Sequence, residues 1–189
     1  MKPKWICCCL IVTLFSLSSY AQKSKIKFNS INMFGIAAGE SRPFGLLQTV
    51  NGVMYSNWFA GIGAGIDYYS YKTIPVFFDL RRGIGKLNKG FIYGDLGYNF
   101  PWKEKPGKEI SFFNSYHFTG GLYSDIGIGY KMNFNQNPSF LFSAGYSYKK
   151  VHNKIGVVYP CLVPPCPEDF TRYEYGYGRI VLKAGIQLR

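Results

Sequence analysis

Hydrophobic and polar residues alternate with a period of two along most of the chain. The clearest case is the segment 140–148, in which large apolar and aromatic residues at even positions oppose small and polar residues at odd positions. This period is the mark of a β-strand whose two faces meet different surroundings. Similar segments begin near Ala60, Val76, Ile92, Tyr116 and Arg179, and two weaker ones, 28–38 and 46–55, bring the prediction to eight strands.

The two faces of these strands differ in a way that bears on the fold. Charged residues share the face that is rich in glycine, and the opposite face carries most of the large aromatic residues. A soluble β-sandwich turns its apolar face inward, whereas a narrow membrane barrel keeps small and charged residues inside and turns bulky apolar residues to lipid. The pattern therefore predicts an all-β protein, an eight-stranded antiparallel up-and-down transmembrane β-barrel.

The predicted connections also alternate in length. Short turns are expected at 56–57, 87–89 and 135–138, and generally longer loops at 40–45, 70–73, 101–115 and 151–172. Short periplasmic turns and longer extracellular loops are typical of outer-membrane barrels. With eight strands, both termini fall on the side of the short turns, which predicts a bacterial outer-membrane protein with both termini in the periplasm.

One segment allows a different interpretation. Residues 43–66 carry no charge and are long enough for a transmembrane helix. However, they include Gln48, Asn51, Ser56 and Asn57, and glycine recurs at alternate positions from Gly61 onward. A strand-turn-strand hairpin accounts for both features and is preferred.

A set of charged residues falls on the predicted inward face of several strands. An unpaired charge in a narrow, poorly solvated lumen costs several kcal/mol, so we expect these residues to pair across the lumen. The network is expected to fill and rigidify the barrel; a polar path or gate for small solutes is the alternative, although side chains can fill an eight-stranded lumen. The predicted network consists of Asp67, Asp79, Arg81, Asp95, Asp125, Lys131, Lys149, Arg179 and Lys183.

Aromatic residues recur near the predicted strand ends. Aromatic girdles in membrane barrels place amphipathic rings at the lipid interface. The predicted girdle consists of Tyr55, Trp58, Tyr68, Tyr69, Phe100, Trp102, Tyr116 and Tyr148.

The N-terminal segment predicts export. Lys2 and Lys4 precede an apolar run at 5–15, and small residues lead to Ala21. This arrangement is typical of a signal peptide cleaved after Ala21, so residues 1–21 are predicted to be removed and 22–189 to form the barrel domain. The cysteines at 7–9 lie at the start of the apolar run rather than at its end, which disfavours a lipoprotein signal.

The two remaining cysteines lie close together. In an exported protein, the short spacing between Cys161 and Cys166 favours a local disulfide. A zinc site is the alternative, but it would need two more soft ligands and His152 alone does not supply them.

The net charge of +12 suggests acidic partners. Because export is predicted, nucleic acid is not an expected partner. The expected partners are lipopolysaccharide phosphates, acidic glycans and outer-membrane lipid. The loops 101–115 and 151–172 are the predicted contact surface for a glycan, lipopolysaccharide or another envelope protein. A loop that is merely hardened against proteases is the competing interpretation.

Several segments resemble a known group of proteins. The stretches at 61–67, 74–81 and 94–98, together with the final strand at 179–188, are similar to small outer-membrane β-barrel proteins common in the Bacteroidetes, of the OmpA/OmpX-like transmembrane barrel superfamily. The resemblance implies the barrel fold and recognition of the final strand by the barrel assembly machinery. It implies little about activity.

Candidate chemistry is sparse. His117 and Thr119 share a strand face, but a hydrolase would also need a serine-like nucleophile, an orienting carboxylate and an oxyanion site. No catalytic, metal-binding or cofactor-binding residues are therefore predicted. The expected role is structural or interactive; a narrow channel or transport accessory is the first alternative, and an enzyme that modifies lipid A is the second.

Overall fold

The computed structural model describes residues 26–40, 42–85, 89–102, 114–133, 138–158 and 168–189, with the backbone alone for 114–117, 156–158, 168 and 170. Within these ranges no helix has the length and apolar character of a membrane span. The described residues form the strands β1 (Ile26–Gly39), β2 (Phe44–Tyr55), β3 (Trp58–Asp67), β4 (Thr73–Ile84), β5 (Gly90–Pro101), β6 (Asn114–Thr119), β7 (Gly121–Asn133), β8 (Ser139–Val158) and β9 (Glu168–Leu188).

These strands form one closed antiparallel sheet. Consecutive strands pair from β1 to β5, β5 pairs with β7, β7 with β8, and β8 with β9. β9 pairs back with β1, which closes the barrel. β6 and β7 both pair with β8 as successive parts of one barrel strand. The prediction of an all-β, eight-stranded antiparallel barrel is confirmed.

A bulge at Gly120 separates β6 from β7. Thr119 pairs with His152 and Tyr123 with Lys149, so three residues on one strand oppose two on the other. A Cβ atom at position 120 would lie 1.8 Å from a backbone carbonyl oxygen of β5, so only glycine fits there. The Nδ1 atom of His152 lies 3.0 Å from the Gly120 carbonyl oxygen.

The burial of the side chains is inverted relative to a soluble protein. The outer face is apolar: Ile62 and Ile126 are each 68% exposed, and many other large apolar residues are also exposed. The inner face carries aspartates, lysines and arginines that are buried. Because soluble proteins rarely expose an apolar surface of this extent, the belt is suited to a lipid environment.

The connections are arranged as the sequence pattern predicts, except that two of the predicted loops are partly strand. The two-residue turn 56–57 and the connections 85–89 and 134–138 lie at one end of the barrel, together with the start of β1 and the end of β9. We call this the turn end, and the opposite end the loop end. The uncharged segment 43–66 forms the β2–β3 hairpin, as expected.

The larger departure is the predicted loop 151–172, most of which is strand. β8 continues to Val158 and β9 begins at Glu168, with a continuous register between them. The predicted loop 101–115 likewise shortens to the connection 102–113, because β6 begins at Asn114. Beyond the bilayer neither strand face meets lipid, so polar residues interrupt the alternation while β-branched and aromatic residues still favour extended pairing.

Two predictions lie outside the described residues. The signal peptide at 1–21 is one, and the disulfide between Cys161 and Cys166 is the other. Both stay predictions.

Candidate functional site: the charged interior of the barrel

The nine residues of the predicted network all lie inside the barrel. Each is less than one-tenth exposed, and together they come from β3, β4, β5, β7, β8 and β9. They form three clusters along the barrel axis, apart from Lys131, which lies at the turn end.

The cluster nearest the turn end is built on Arg81. Its Nε lies 2.9 Å from both carboxylate oxygens of Asp79, and its Nη2 lies 2.6 Å from Oδ2. The guanidinium also sits over the rings of Phe59 and Phe91, at 5.9 and 5.6 Å from their centroids. A charge-assisted, multiply bonded pair with aromatic neighbours fixes this side chain in place and blocks the lumen at its level.

The central cluster is built on Lys183. Its Nζ lies 2.7 Å from Asp125 and 3.7 Å from Asp95, and it donates to the Gln48 side-chain oxygen at 3.2 Å. Asp125 also accepts a hydrogen bond from the Tyr93 hydroxyl at 2.9 Å. Gln48 donates to Tyr123 at 2.8 Å. This network joins β2, β5, β7 and β9, so it connects strands on different sides of the barrel.

The cluster at the loop end is built on Asp67. Arg179 lies 2.5 Å and Lys149 3.4 Å from its carboxylate. Lys149 also donates to the backbone carbonyls of Tyr69 and Tyr71, at 2.7 and 2.9 Å. The lysine thereby ties the β3–β4 connection to the wall formed by β8.

Tyr69 is wrongly placed by the girdle prediction. The side chain is 1% exposed, and the Arg179 guanidinium lies 5.2 Å from its ring centroid. It turns inward because Asp67 accepts a hydrogen bond from its backbone N–H at 2.9 Å, which folds the connection over the lumen. Other predicted girdle residues such as Trp58, Tyr68 and Trp102 are exposed.

Apolar side chains fill the space between the charged clusters. Ile31, Met33, Val50, Phe77 and Tyr123 belong to one buried group that crosses the lumen. The rings of Phe77 and Tyr123 lie 5.4 Å apart. Side chains therefore fill the described part of the lumen between the charged clusters.

The network also contains residues that the charge pattern did not single out. Gln48, Tyr93 and Tyr123 supply hydrogen bonds within the central cluster. All three lie at inward-facing positions of the strand alternation. On β2, however, the inward neighbours of Gln48 are the apolar Leu46 and Val50, so the sequence pattern does not mark this face as polar. A search for inward hydroxyl and amide groups, in addition to charges, would have found them.

The outer sheet of β6, β8 and β9 adds a second polar surface at the loop end. Its outward face carries Lys150, His152, Lys154, Arg172 and Glu174, with Lys150 2.7 Å and His152 3.3 Å from Glu174. Lys154 and Arg172 oppose each other directly across the β8–β9 pair. The surface therefore carries more cations than carboxylates.

The sequence offers two candidates for chemistry, His117 and Thr119, and only Thr119 has a described side chain. In the described residues no group of three His, Cys, Asp or Glu side chains is placed to hold a metal ion. Thr119 lies in β6 beside the bulge, and the His117 side chain lies outside the described atoms.

Comparisons with known proteins place the fold. The outer membrane protein OprG from Pseudomonas aeruginosa superposes with a TM-score of 0.55 at 13% identity, over 87% of this chain and 96% of that one. The fold is that of an outer-membrane β-barrel.

Two further solved structures are more distant, and no family model or curated protein matches the chain. The outer membrane protein AlkL in lipid bilayers gives a TM-score of 0.47 at 9% identity, over 86% of this chain and 87% of that one. The translocator domain of the autotransporter NalP from Neisseria meningitidis gives a TM-score of 0.24 at 11% identity, over 94% of this chain and 93% of that one.

Proposed function

We propose that the chain is an integral outer-membrane barrel with a closed lumen and a structural or surface-interaction role at its loop end. The observation that carries this proposal is the filled interior, in which ion-paired clusters alternate with packed apolar side chains. The apolar outer belt and the likeness in fold to OprG support the membrane location. A channel is the alternative, and the packed interior argues against it.

Planar-bilayer recordings test the closed lumen. The purified barrel is expected to show no step conductance above the bare membrane. An open general porin, recorded in the same bilayers, is the positive control, and unboiled gels establish that the purified barrel is folded. Stable conductance steps in the unaltered protein would refute the closed-lumen proposal.

The proposed orientation places the turn end and both termini in the periplasm. Arg42 lies in the β1–β2 connection at the loop end, and Asn57 in the β2–β3 turn; both are exposed. In a background without Cys161 and Cys166, an impermeant maleimide should label Arg42→Cys on intact cells and Asn57→Cys only after permeabilisation. The reverse labelling would invert the orientation.

For the loop end we propose contact with lipopolysaccharide phosphates. Lys154 and Arg172 lie on the outward face of the β8–β9 hairpin. On β8 this is also the face of the lipid-facing Tyr146 and Tyr148, which lie nearer the turn end. Directly opposed like charges destabilise a strand pair, and a phosphate bound between them would relieve that repulsion and form charge-assisted hydrogen bonds. Both residues lie six positions along their strands beyond the Tyr148–Gly178 pair, on the loop-end side of the apolar belt.

Binding measurements on the barrel in nanodiscs test this contact. The double variant Lys154→Gln Arg172→Gln should bind lipopolysaccharide more weakly, and removal of the lipid A phosphates should have the same effect on the unaltered protein. Lys89→Gln, an exposed substitution at the turn end, is the matched control. Equal binding by the double variant and the control would contradict the proposal.

Three finer statements belong to this proposal. Membership among the small Bacteroidetes barrels of the OmpA/OmpX-like superfamily is supported by the motifs at 61–67, 74–81 and 94–98. Recognition by the barrel assembly machinery is supported by the alternating final strand. Absence of catalysis is the third, and it is tested by deleting the gene, which should leave lipid A chemically unchanged.

A further inference from the structure

A pocket of about 210 Å³ opens at the turn end of the lumen. Arg81 and the rings of Phe59 and Phe91 line it, and Lys131 and Arg189 lie around it. Since Arg81 is fixed by Asp79 and sits over both rings, it separates the pocket from the central cluster. The pocket is therefore a dead end, accessible only from the turn end.

The charge of this pocket is unbalanced. The side chains of its described lining include three cations and no carboxylate, and the charge of Arg81 is already paired with Asp79. Lys131 is only 8% exposed, and its side chain makes no hydrogen bond or ion pair with any residue that the structure describes. The eight other charges of the lumen network each lie within 4 Å of an opposite charge.

A lysine that is largely buried without a counter-charge is unfavourable. A bound anion would remove that penalty and would form a charge-assisted hydrogen bond with its Nζ. Amide groups are also present at the pocket: Asn133 accepts a hydrogen bond from Ser139 through Oδ1 at 2.9 Å, which leaves its Nδ2 to donate to a ligand.

The apolar part of the lining narrows the class of anion. Ile31, Phe59, Phe91 and Leu141 form the deep wall of the pocket. A bare inorganic anion would leave that wall in contact with water, whereas an anion with a small apolar body would cover it. We propose that the pocket binds a small carboxylate whose carboxyl group pairs with Lys131 and whose apolar body packs against Phe59 and Phe91.

Titration of the purified barrel in nanodiscs with benzoate tests the proposal, using calorimetry and the amide NMR signals of β7. Benzoate is expected to bind saturably, and Lys131→Gln should weaken it about tenfold, the effect of one charge-assisted hydrogen bond. Lys131→Arg should retain binding, and Lys150→Gln, at the loop end, should not alter it. Unboiled gel migration establishes that each variant is folded.

Uncharged benzamide and inorganic phosphate separate the contributions of charge and of apolar contact. Both should bind more weakly than benzoate. Benzamide binding as tightly would overturn the role assigned to Lys131, and phosphate binding as tightly would overturn the role assigned to the aromatic wall. Absence of saturation by benzoate, or equal affinity in Lys131→Gln, would overturn the site as a whole.

Discussion

Three aspartates lie side by side on neighbouring strands of the barrel. Asp79 is the register partner of Asp95, and Asp95 is the partner of Asp125. Opposed side chains have Cβ atoms ~5 Å apart, and like charges in such pairs are destabilising. At ~6 Å and an effective dielectric constant of ~20, two carboxylates repel by about 3 kcal/mol. Arg81 and Lys183 are the cations that contact this row.

The central and outer members of the row differ in their hydrogen bonds. Asp125 accepts from Lys183 and Tyr93, whereas Asp95 lies 3.7 Å from Lys183 and neither of its oxygens has a hydrogen-bond partner among the described residues. Asp95→Asn removes repulsion from two neighbours and loses one long ion pair. We expect the free energy of unfolding to stay unchanged or to rise by up to ~3 kcal/mol.

Asp125→Asn is the matched comparison. It removes the charge that binds Lys183 at 2.7 Å and accepts from Tyr93, and hydrogen bonds to charged groups contribute ~1.5–3 kcal/mol each. We expect the free energy of unfolding to fall by about that amount. The two substitutions change the same atoms on adjacent strands, so they differ only in the surroundings of the carboxylate.

Urea unfolding of the barrel in lipid vesicles measures the difference, followed by tryptophan fluorescence. Trp58 and Trp102 lie exposed on the outer surface, so their emission reports transfer from lipid to water. The slope against urea should be the same in all three proteins. An equal loss of stability in Asp95→Asn and Asp125→Asn would refute the reasoning that repulsion dominates at Asp95.

The remaining predictions concern the bulge, the β3–β4 connection and the outer hairpin, which is the part of the β8–β9 pair from Lys150 to Glu174 at the loop end. Gly120→Ala should lower the free energy of unfolding by ~1–3 kcal/mol through overpacking. Gly94→Ala, where an added Cβ meets nothing within 4 Å, should leave it unchanged. Urea unfolding of both variants in lipid vesicles measures the difference. Lys149→Met removes the ties to two backbone carbonyls, so limited proteolysis should cut the β3–β4 connection faster, and unchanged cleavage would contradict its anchoring role. The hydrogen bond from Lys150 lowers the pKa of Glu174 below its usual 4.5. The stabilisation from this pair is therefore present above pH 4.5 and is lost as the pH falls through the lowered pKa. Hydrogen exchange of the outer hairpin should accelerate over that pH range, and it should accelerate less in Glu174→Gln.

The sequence pattern predicts the barrel well because the bilayer enforces it. In the lipid-facing part of each strand, one face must be apolar, and this produces the period-two signal at 140–148 and in the final strand. The same parity places Asp67, Asp79 and Lys183 inside the barrel, where the structure has them. The turn positions follow because two-residue and short connections leave little freedom in where the strands end.

The outer hairpin is not predicted as strand because the requirement for one apolar strand face ends at the membrane surface. From Lys150 onward both faces carry polar residues, so alternation no longer distinguishes strand from loop. The alternation of faces also does not show which residues contact each other across the lumen. Lys149, for example, bonds to the carbonyls of Tyr69 and Tyr71, which lie 80 and 78 positions away. The clusters therefore emerge only when the register between strands is known.

The balance of charge differs between the middle of the barrel and its two ends. Between the two mouths of the barrel, in the three clusters of the lumen, Arg81, Lys149, Arg179 and Lys183 each have a carboxylate partner, as a poorly solvated interior requires. At the ends, Lys131 on one side and the Lys154–Arg172 pair on the other have no ion pair within 4 Å among the described residues. An unpaired cation costs less near the ends, where water is closer, so the paired charges stabilise the barrel and the unpaired ones can bind anions. Substitutions in the paired clusters should therefore change stability, and those of the unpaired cations should weaken anion binding without lowering stability.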